Sequence, residues 1–194
     1  MIYKPEHGDL VRILPILKKD GNTIPYLATS FLYESGKMIF DRHGVIEKLW
    51  AIERKREEGN TSGLGRRCWM FVEVGGEYKF MYAGASIMKV AQVILEDPFS
   101  EKVLSISKKT VSTGEFSAKF PSYEDSKIEV SEWNPPAEED RKEWLKEKQP
   151  FYIEEWIDQR GVFDNMEFLR KRFGESLAQM MADEREKKLG ELGI

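Results

Sequence analysis

The chain has 194 residues, 41% of them hydrophobic, and a net charge of −4. This length is enough for one domain with a sizeable core, or for a domain plus a helical appendage. No run of about 18 apolar residues occurs, which excludes a transmembrane helix, and residues 1–7 lack the apolar stretch of a signal peptide. The single cysteine, Cys68, excludes an internal disulfide and a multi-cysteine metal site. We therefore expect a cytoplasmic protein without a metal or another cofactor.

The charge is divided unevenly along the chain. Residues 1–133 hold 19 basic and 19 acidic side chains, whereas residues 134–194 hold 11 basic and 15 acidic ones. The negative net charge argues against a general nucleic-acid binder. Because the whole net negative charge lies beyond residue 133, however, the N-terminal part is neutral and could still present a basic face.

Periodicity and turn residues predict the elements of the first two thirds of the chain. In chain order they are strands at 11–14 and 24–33, a helix at 44–58, strands at 66–74 and 78–83, a helix at 87–95, and strands at 103–107, 115–120 and 127–131. Short strands with irregular loops favour a small, partly open barrel.

Two prolines mark a linker at residues 134–137, because proline breaks both helices and strand ladders. Helices are predicted at 138–148 and 151–159, and Asp164 with Glu167 forms a capping box for a long final helix. The predicted fold class is therefore α+β: residues 1–133 form an oligonucleotide-binding (OB)-like small antiparallel β-barrel with an inserted short helix, and residues 134–194 form a helical C-terminal extension.

No pattern for catalysis or for a metal is present. The only histidines, His7 and His43, lack a nearby nucleophile and metal-ligand spacing. The glycine-rich loop at 59–65 lacks the Gly-Lys-Ser/Thr ending of a phosphate-binding P-loop. We expect a protein that is not an enzyme.

Aromatic residues alternate along the two central strands. Successive side chains of a strand point to opposite faces, so Trp69 and Phe71 lie opposite Cys68, Met70, Val72 and Val74, while Tyr78, Phe80 and Tyr82 share one face. The small apolar set is the natural core side. The aromatic side then has two open interpretations: the rings stack the bases of a single strand, or the helix at 87–95 or the C-terminal helices cover them as core.

Basic residues surround these strands. They are Arg12, Arg66, Arg67, Lys79, Lys108, Lys109 and Lys119. A groove that follows a phosphate backbone needs such cations. Lysines at strand ends also protect a sheet against edge pairing, so the pattern alone permits both roles.

Several short motifs resemble one protein family. They are residues 10–15 (LVRILP), 79–87 (KFMYAGASI), 95–98 (LEDP), 103–109 (VLSISKK) and 116–122. This arrangement is similar to the helix-destabilising single-stranded DNA-binding proteins of tailed bacteriophages, which have an OB core. In that family an Arg-Ile-Leu-Pro strand opens the domain. A strand ending in Gly-x-Ser then leads into a short helix, an Asp-Pro stop and a strand ending in Lys or Arg.

The resemblance implies non-catalytic, sequence-independent binding of single-stranded DNA during replication or recombination, with proteins of those processes as possible partners. The compartment would be the host cytoplasm if the protein is viral. The resemblance assigns DNA contacts to Arg12, Trp69, Phe71, Lys79, Phe80, Tyr82, Lys108 and Lys109. The assignments of Arg66, Arg67 and Lys119 depend on their spacing alone.

The chain departs from the family pattern in two ways. Some relatives carry a Cys/His zinc subdomain after the second strand, but residues 36–43 contain no cysteine, so zinc does not carry over. Relatives also commonly end in a flexible acidic tail that recruits partners, whereas this chain ends in a mixed-charge helix.

The alternative function is a protein-binding or assembly module, such as a viral inhibitor or structural subunit. It would act through the apolar stripe of the final helix, Met166, Leu169, Phe173, Leu177 and Met180. Such a stripe is typical of intramolecular packing or of self-association.

Overall fold

The computed structural model describes residues 2–34, 37–56, 65–113 and 118–191. These residues form β1 (Ile2–Tyr3), β2 (Leu10–Leu14), β3 (Ile16–Leu17), β4 (Thr23–Ile24), β5 (Leu27–Glu34), β6 (Lys37–Asp41), α1 (Val45–Arg56), β7 (Gly65–Val74), β8 (Glu77–Ala83), α2 (Ala85–Leu95), β9 (Lys102–Ser105), β10 (Lys109–Thr113), β11 (Ala118–Ser122), β12 (Lys127–Val130), α3 (Arg141–Lys148), α4 (Ile153–Asp158) and α5 (Met166–Glu191). Within these ranges, no helix has the length and apolar character needed to span a membrane.

The chain divides into two compact units, each built from two segments. The first unit comprises residues 1–28 and 67–154, and the second comprises residues 29–66 and 155–194. This division differs from the predicted boundary after residue 133. Residues 134–154 belong to the first unit because their aromatic side chains pack on its sheet: Trp144 lies 5.6 Å from Tyr78 and Phe151 lies 5.1 Å from Phe80, between ring centroids.

The first unit is centred on a mixed sheet with the strand order β1-β8-β7-β2-β9-β12. β1 pairs parallel to β8, and the other neighbours are antiparallel. The predicted α+β class is confirmed. In the part of the chain that the structure describes, the two outer strands of this path do not pair, so the sheet is not closed into a barrel.

One face of this sheet is covered by α2. Met70, Val72, Met81 and Ala83 point to that face and pack with Val11, Ile13, Leu104 and the α2 residues Ile87, Ala91 and Ile94. The predicted core side of β7 is confirmed. Every third or fourth residue of α2 is buried, as expected for a helix with one apolar face on a sheet.

A buried arginine joins the sheet to the predicted linker. The Arg12 Nη1 donates to the carbonyl of Ser100 at 3.0 Å, and Nη2 donates to the carbonyl of Ser131 at 3.3 Å. Its guanidinium lies 4.4 Å from the ring centroid of Trp133, which stacks on Phe99 at 6.0 Å with an interplanar angle of 11°. These contacts hold the chain that leaves β12 against the sheet.

A buried glutamine anchors the end of α3. The Gln149 Oε1 accepts a hydrogen bond from the backbone N–H of Leu17 at 2.9 Å, and Nε2 donates to the Leu17 carbonyl at 2.9 Å. Nε2 also donates to the carbonyl of Phe151 at 3.0 Å. The amide therefore satisfies both backbone groups of a β3 residue, as a neighbouring strand would.

β10 and β11 form a separate two-stranded hairpin between β9 and β12. β10 was not predicted, because its sequence Lys-Thr-Val-Ser-Thr is polar and offers little apolar alternation. β11 overlaps the predicted strand at 115–120, of which residues 115–117 lie outside the described residues. The hairpin base is fastened by Ser126, whose hydroxyl accepts from the Ser107 N–H at 3.0 Å.

The second unit contains the β5–β6 hairpin, α1 and α5. Its core includes Leu32, Ile39, Leu49, Trp50, Leu169, Phe173 and Leu177, so the apolar stripe of the final helix packs within this unit. The buried carboxylate of Asp41 precedes α1 and accepts from the N–H of Ile46 at 2.7 Å. α5 contains one non-helical residue, Phe173. β6 was not predicted.

We expect Gln149→Leu to lower the free energy of unfolding by about 2–4 kcal/mol, because it leaves the buried N–H and C=O of Leu17 without partners. Urea denaturation monitored by circular dichroism measures this change. Gln92→Leu, at an exposed position of α2, is the matched control and should change stability by less than about 0.5 kcal/mol. Equal stability of both variants would contradict the anchoring role.

Candidate nucleic-acid interface

The central aromatic rings are buried. Trp69 is 1% exposed, and Phe71 and Phe80 are 0% exposed. The register, which the sequence did not predict, places Phe71 opposite Phe80 and Trp69 opposite Tyr82, so the aromatic sides of the two strands form one face. The structure corrects the expectation that these rings lie on an open surface: Trp69, Phe71 and Phe80 offer no face to a base, and the covered-core interpretation describes them.

Tyr82 and Arg67 lie at the edge of this aromatic face. The Tyr82 ring is 4.6 Å from the Trp69 ring between centroids, and the guanidinium carbon of Arg67 is 6.0 Å from the Tyr82 centroid. Burial raises the pKa of Tyr82, which keeps its phenol protonated. Both side chains are partly exposed. Arg66 belongs to the second unit, where its Nε is 3.1 Å from a Glu47 carboxylate oxygen.

Arg12 and Lys79 have partners within the first unit. Arg12 donates from Nη1 and Nη2 to backbone carbonyls, and its Nε lies 3.8 Å from a Glu73 carboxylate oxygen. Its side chain is 4% exposed, so it is not placed to reach a phosphate. Lys79 lies opposite Val72, on the face covered by α2, and forms an ion pair with Glu77. The structure therefore assigns Arg12 to the frame of the sheet rather than to an open groove.

Lys108 and Lys109 lie at the base of the β10–β11 hairpin. Lys108 Nζ is 2.8 Å from Glu6 Oε2, and Lys109 Nζ is 2.9 Å from Asp125 Oδ2. These hydrogen bonds raise the pKa of both ammonium groups, so both are cationic at neutral pH. The pairs lie at the surface, where an ion pair contributes about 0–1 kcal/mol, so a phosphate could replace either carboxylate.

The hairpin also carries an exposed aromatic ring that the sequence analysis did not select. Phe120 is 53% exposed. It pairs directly with Val111, and the next pair on the same face is Lys109 with Ser122. Directly paired residues and their second neighbours share a face, so Phe120, Val111 and Lys109 lie together. The alternation of apolar and polar residues in 118–122 (AKFPS) could have indicated a strand that carries this ring. The Lys119 side chain lies outside the described part of the structure.

We call Lys108, Lys109, Val111 and Phe120 the hairpin patch. The register separates it from Arg67 and Tyr82. Val11 pairs with Val74 of β7 and with Leu104 of β9, so β9 leads to the hairpin beside the β7–β8 turn. Arg67 lies at the other end of β7, about 23 Å from Val74 at 3.3 Å per residue. Arg67 and Tyr82 therefore lie at one end of the sheet, and Lys108 and Lys109 lie near the other end.

The described residues contain no group of three or more His, Cys, Asp or Glu side chains that could hold a metal ion. Cys68 is a free, half-buried thiol, and burial raises its pKa. No protein-family model matches the chain, and no curated protein matches its sequence significantly.

We expect Arg12→Met to lower the free energy of unfolding by about 2–4 kcal/mol, because the carbonyls of Ser100 and Ser131 lose a charged donor. Urea denaturation measures this loss. Lys89→Met, which removes an exposed cation on α2, is the matched control and should change the free energy of unfolding by less than about 0.5 kcal/mol. A fully stable Arg12→Met variant with weakened oligonucleotide binding would instead identify a phosphate contact.

Proposed function

We propose that this chain binds single-stranded DNA without catalysis and without sequence preference, in replication or recombination. The observation that carries the proposal is the hairpin patch, where an exposed phenyl ring and a lysine share one face of the β10–β11 hairpin. Proteins that bind single strands without sequence preference combine these two features, because a ring stacks on any base and a cation neutralises any phosphate.

The architecture of the first unit supports the same proposal. Antiparallel strands β2, β7, β8, β9 and β12, with α2 between β8 and β9, are consistent with a partly open OB-like sheet. The β10–β11 hairpin connects two adjacent strands of this sheet, as the binding loops of OB folds do. The motifs in residues 10–15 and 79–109, which resemble phage single-stranded DNA-binding proteins, fall in this same unit.

The proposed contacts follow from the geometry of the hairpin. One base stacks on Phe120, and the adjoining phosphates bind Lys108 and Lys109 in place of Glu6 and Asp125. Each exchange replaces one exposed ion pair with another. The favourable free energy of binding therefore comes from counterion release and base stacking. Arg67 beside Tyr82 is a second point at which a longer strand could contact this unit.

We expect Phe120→Ala to weaken binding of oligo-dT by about 1–3 kcal/mol, the value of one base–aromatic stack. Anisotropy of a labelled oligonucleotide is the suitable measurement, because the hairpin patch contains no tryptophan. Phe163→Ala removes a ring that is 61% exposed in the second unit and should leave the affinity unchanged. Equal affinities of the wild type and Phe120→Ala would remove the hairpin patch from the proposal.

We expect Lys109→Ala to reduce the dependence of binding on salt. Each phosphate contact to a single strand contributes about −0.7 to the slope of log K against log salt concentration, and this variant loses one contact. Lys89→Ala, an exposed lysine on α2, is the control with the same change of charge and should keep the wild-type slope. Wild-type binding that is absent, or that ignores salt, would refute the proposed function itself.

A further inference from the structure

A tight turn at residues 6–9 precedes β2. The Asp9 N–H donates to the Glu6 carbonyl at 3.3 Å, and the Asp9 carboxylate accepts a hydrogen bond from the Glu6 N–H at 3.1 Å. Gly8 has a φ of +91°, a backbone conformation that glycine adopts without strain. The turn leaves the side chain of His7 exposed.

Hydrogen bonds hold this turn against the base of the β10–β11 hairpin. The Gly8 N–H donates to the Ile106 carbonyl at 2.9 Å, and Lys108 Nζ lies 2.8 Å from Glu6 Oε2. The backbone N–H of Lys108 donates to Nδ1 of His7 at 3.2 Å. The imidazole ring of His7 therefore lies beside Lys108, a member of the hairpin patch.

The hydrogen bond from Lys108 defines the tautomer of the His7 ring. Because Nδ1 accepts, it carries no proton, so the ring is neutral and its N–H group is on Nε2. A protonated ring has N–H groups on both nitrogens and must give up this hydrogen bond. The backbone N–H of Lys108 and the two ring N–H groups then become donors for a phosphate, and the ring adds one positive charge.

We propose that His7 is the proton-sensitive member of a phosphate site at the base of the hairpin, beside Lys108 and Lys109, so that single-stranded DNA binds more tightly as the pH falls. His7 has this role only if the chain binds single-stranded DNA, as proposed above. A phosphate close to the ring favours the charged form of the ring. By linkage, a proton on His7 strengthens DNA binding by the same factor by which DNA strengthens binding of that proton.

The other groups at this site do not supply such a pH dependence. The titratable groups of the turn and of the hairpin base are Glu6, Asp9, Lys108, Lys109, Tyr123 and Asp125. Hydrogen bonds to carboxylates raise the pKa of both lysines, and burial raises the pKa of Tyr123, so their charges do not change around neutral pH. Carboxyl groups ordinarily titrate near about pH 4, whereas histidine ordinarily titrates near about pH 6.5.

Anisotropy of a labelled oligo-dT with the full chain, at about pH 7.5 and about pH 5.5, tests the role of His7. The wild-type affinity should rise about two- to fivefold at the lower pH, the effect of one exposed charge pair. The slope of log K against log salt concentration should become steeper by about 0.7, because one further cation contacts the strand. Circular dichroism checks that each chain is folded at both pH values.

His7→Asn separates the charge of the ring from its place in the turn. The asparagine oxygen can accept the Lys108 N–H in place of Nδ1, but the amide does not titrate. This variant should bind like the wild type at the higher pH and gain nothing at the lower pH. His43→Gln is the matched control, because His43 lies in the second unit, with Nε2 3.1 Å from an Asp158 carboxylate oxygen. It should keep the full wild-type gain.

Three results would overturn the role of His7. They are equal wild-type binding at both pH values, a gain that His7→Asn retains, and a gain that His43→Gln loses. Each of them leaves DNA binding itself in place. A wild type that binds no oligo-dT at either pH would refute the proposed function, and the role of His7 would be refuted with it.

Discussion

The antiparallel register of β7 and β8 determines how the first unit is built. It places Phe71 opposite Phe80 and Met70 opposite Met81, so large rings collect on one face and aliphatic side chains on the other. A slip of one residue would exchange the two sets. The aliphatic face packs against α2, and the aromatic face receives Phe151 and Trp144 from the segment that follows the sheet. Trp69, Phe71 and Phe80 are buried, so the proposed contacts with DNA are placed at the periphery of the sheet.

The burial and the partners of each cation show whether it stabilises the fold or can exchange its partner for a phosphate. Arg12 is buried, donates to two backbone carbonyls and lies against Trp133, so its charge holds the frame together. Lys108 and Lys109 instead pair with single carboxylates at the surface. Desolvation makes the first arrangement costly to disturb, whereas solvent screening makes the second easy to exchange. The proposed phosphate contacts therefore belong to the hairpin and not to β2.

The first part of the final helix packs within the second unit. Leu169, Phe173 and Leu177 complete the core of the second unit, which explains the apolar stripe without a foreign partner. Beyond Leu177 every described residue of the helix is exposed except Met180, which is half-buried and packs against that core.

The sequence by itself determined the class of the fold, the positions of α2 and of the central strands, and the face to which each side chain of β7 points. These properties depend on local periodicity, proline and turn residues. It did not determine whether the aromatic face was covered, because Trp144 and Phe151 lie about 60–80 residues from the rings they approach and only tertiary packing brings them there. The sequence also did not predict β10, because this strand lacks an apolar alternation. Only the pairing of β10 with β11 shows that the exposed Phe120 lies on the same face as Lys109. From the sequence alone, Arg12 is an ordinary cation in a strand. Only the tertiary structure brings the carbonyls of Ser100 and Ser131 next to its guanidinium, and these hydrogen bonds stabilise the buried charge.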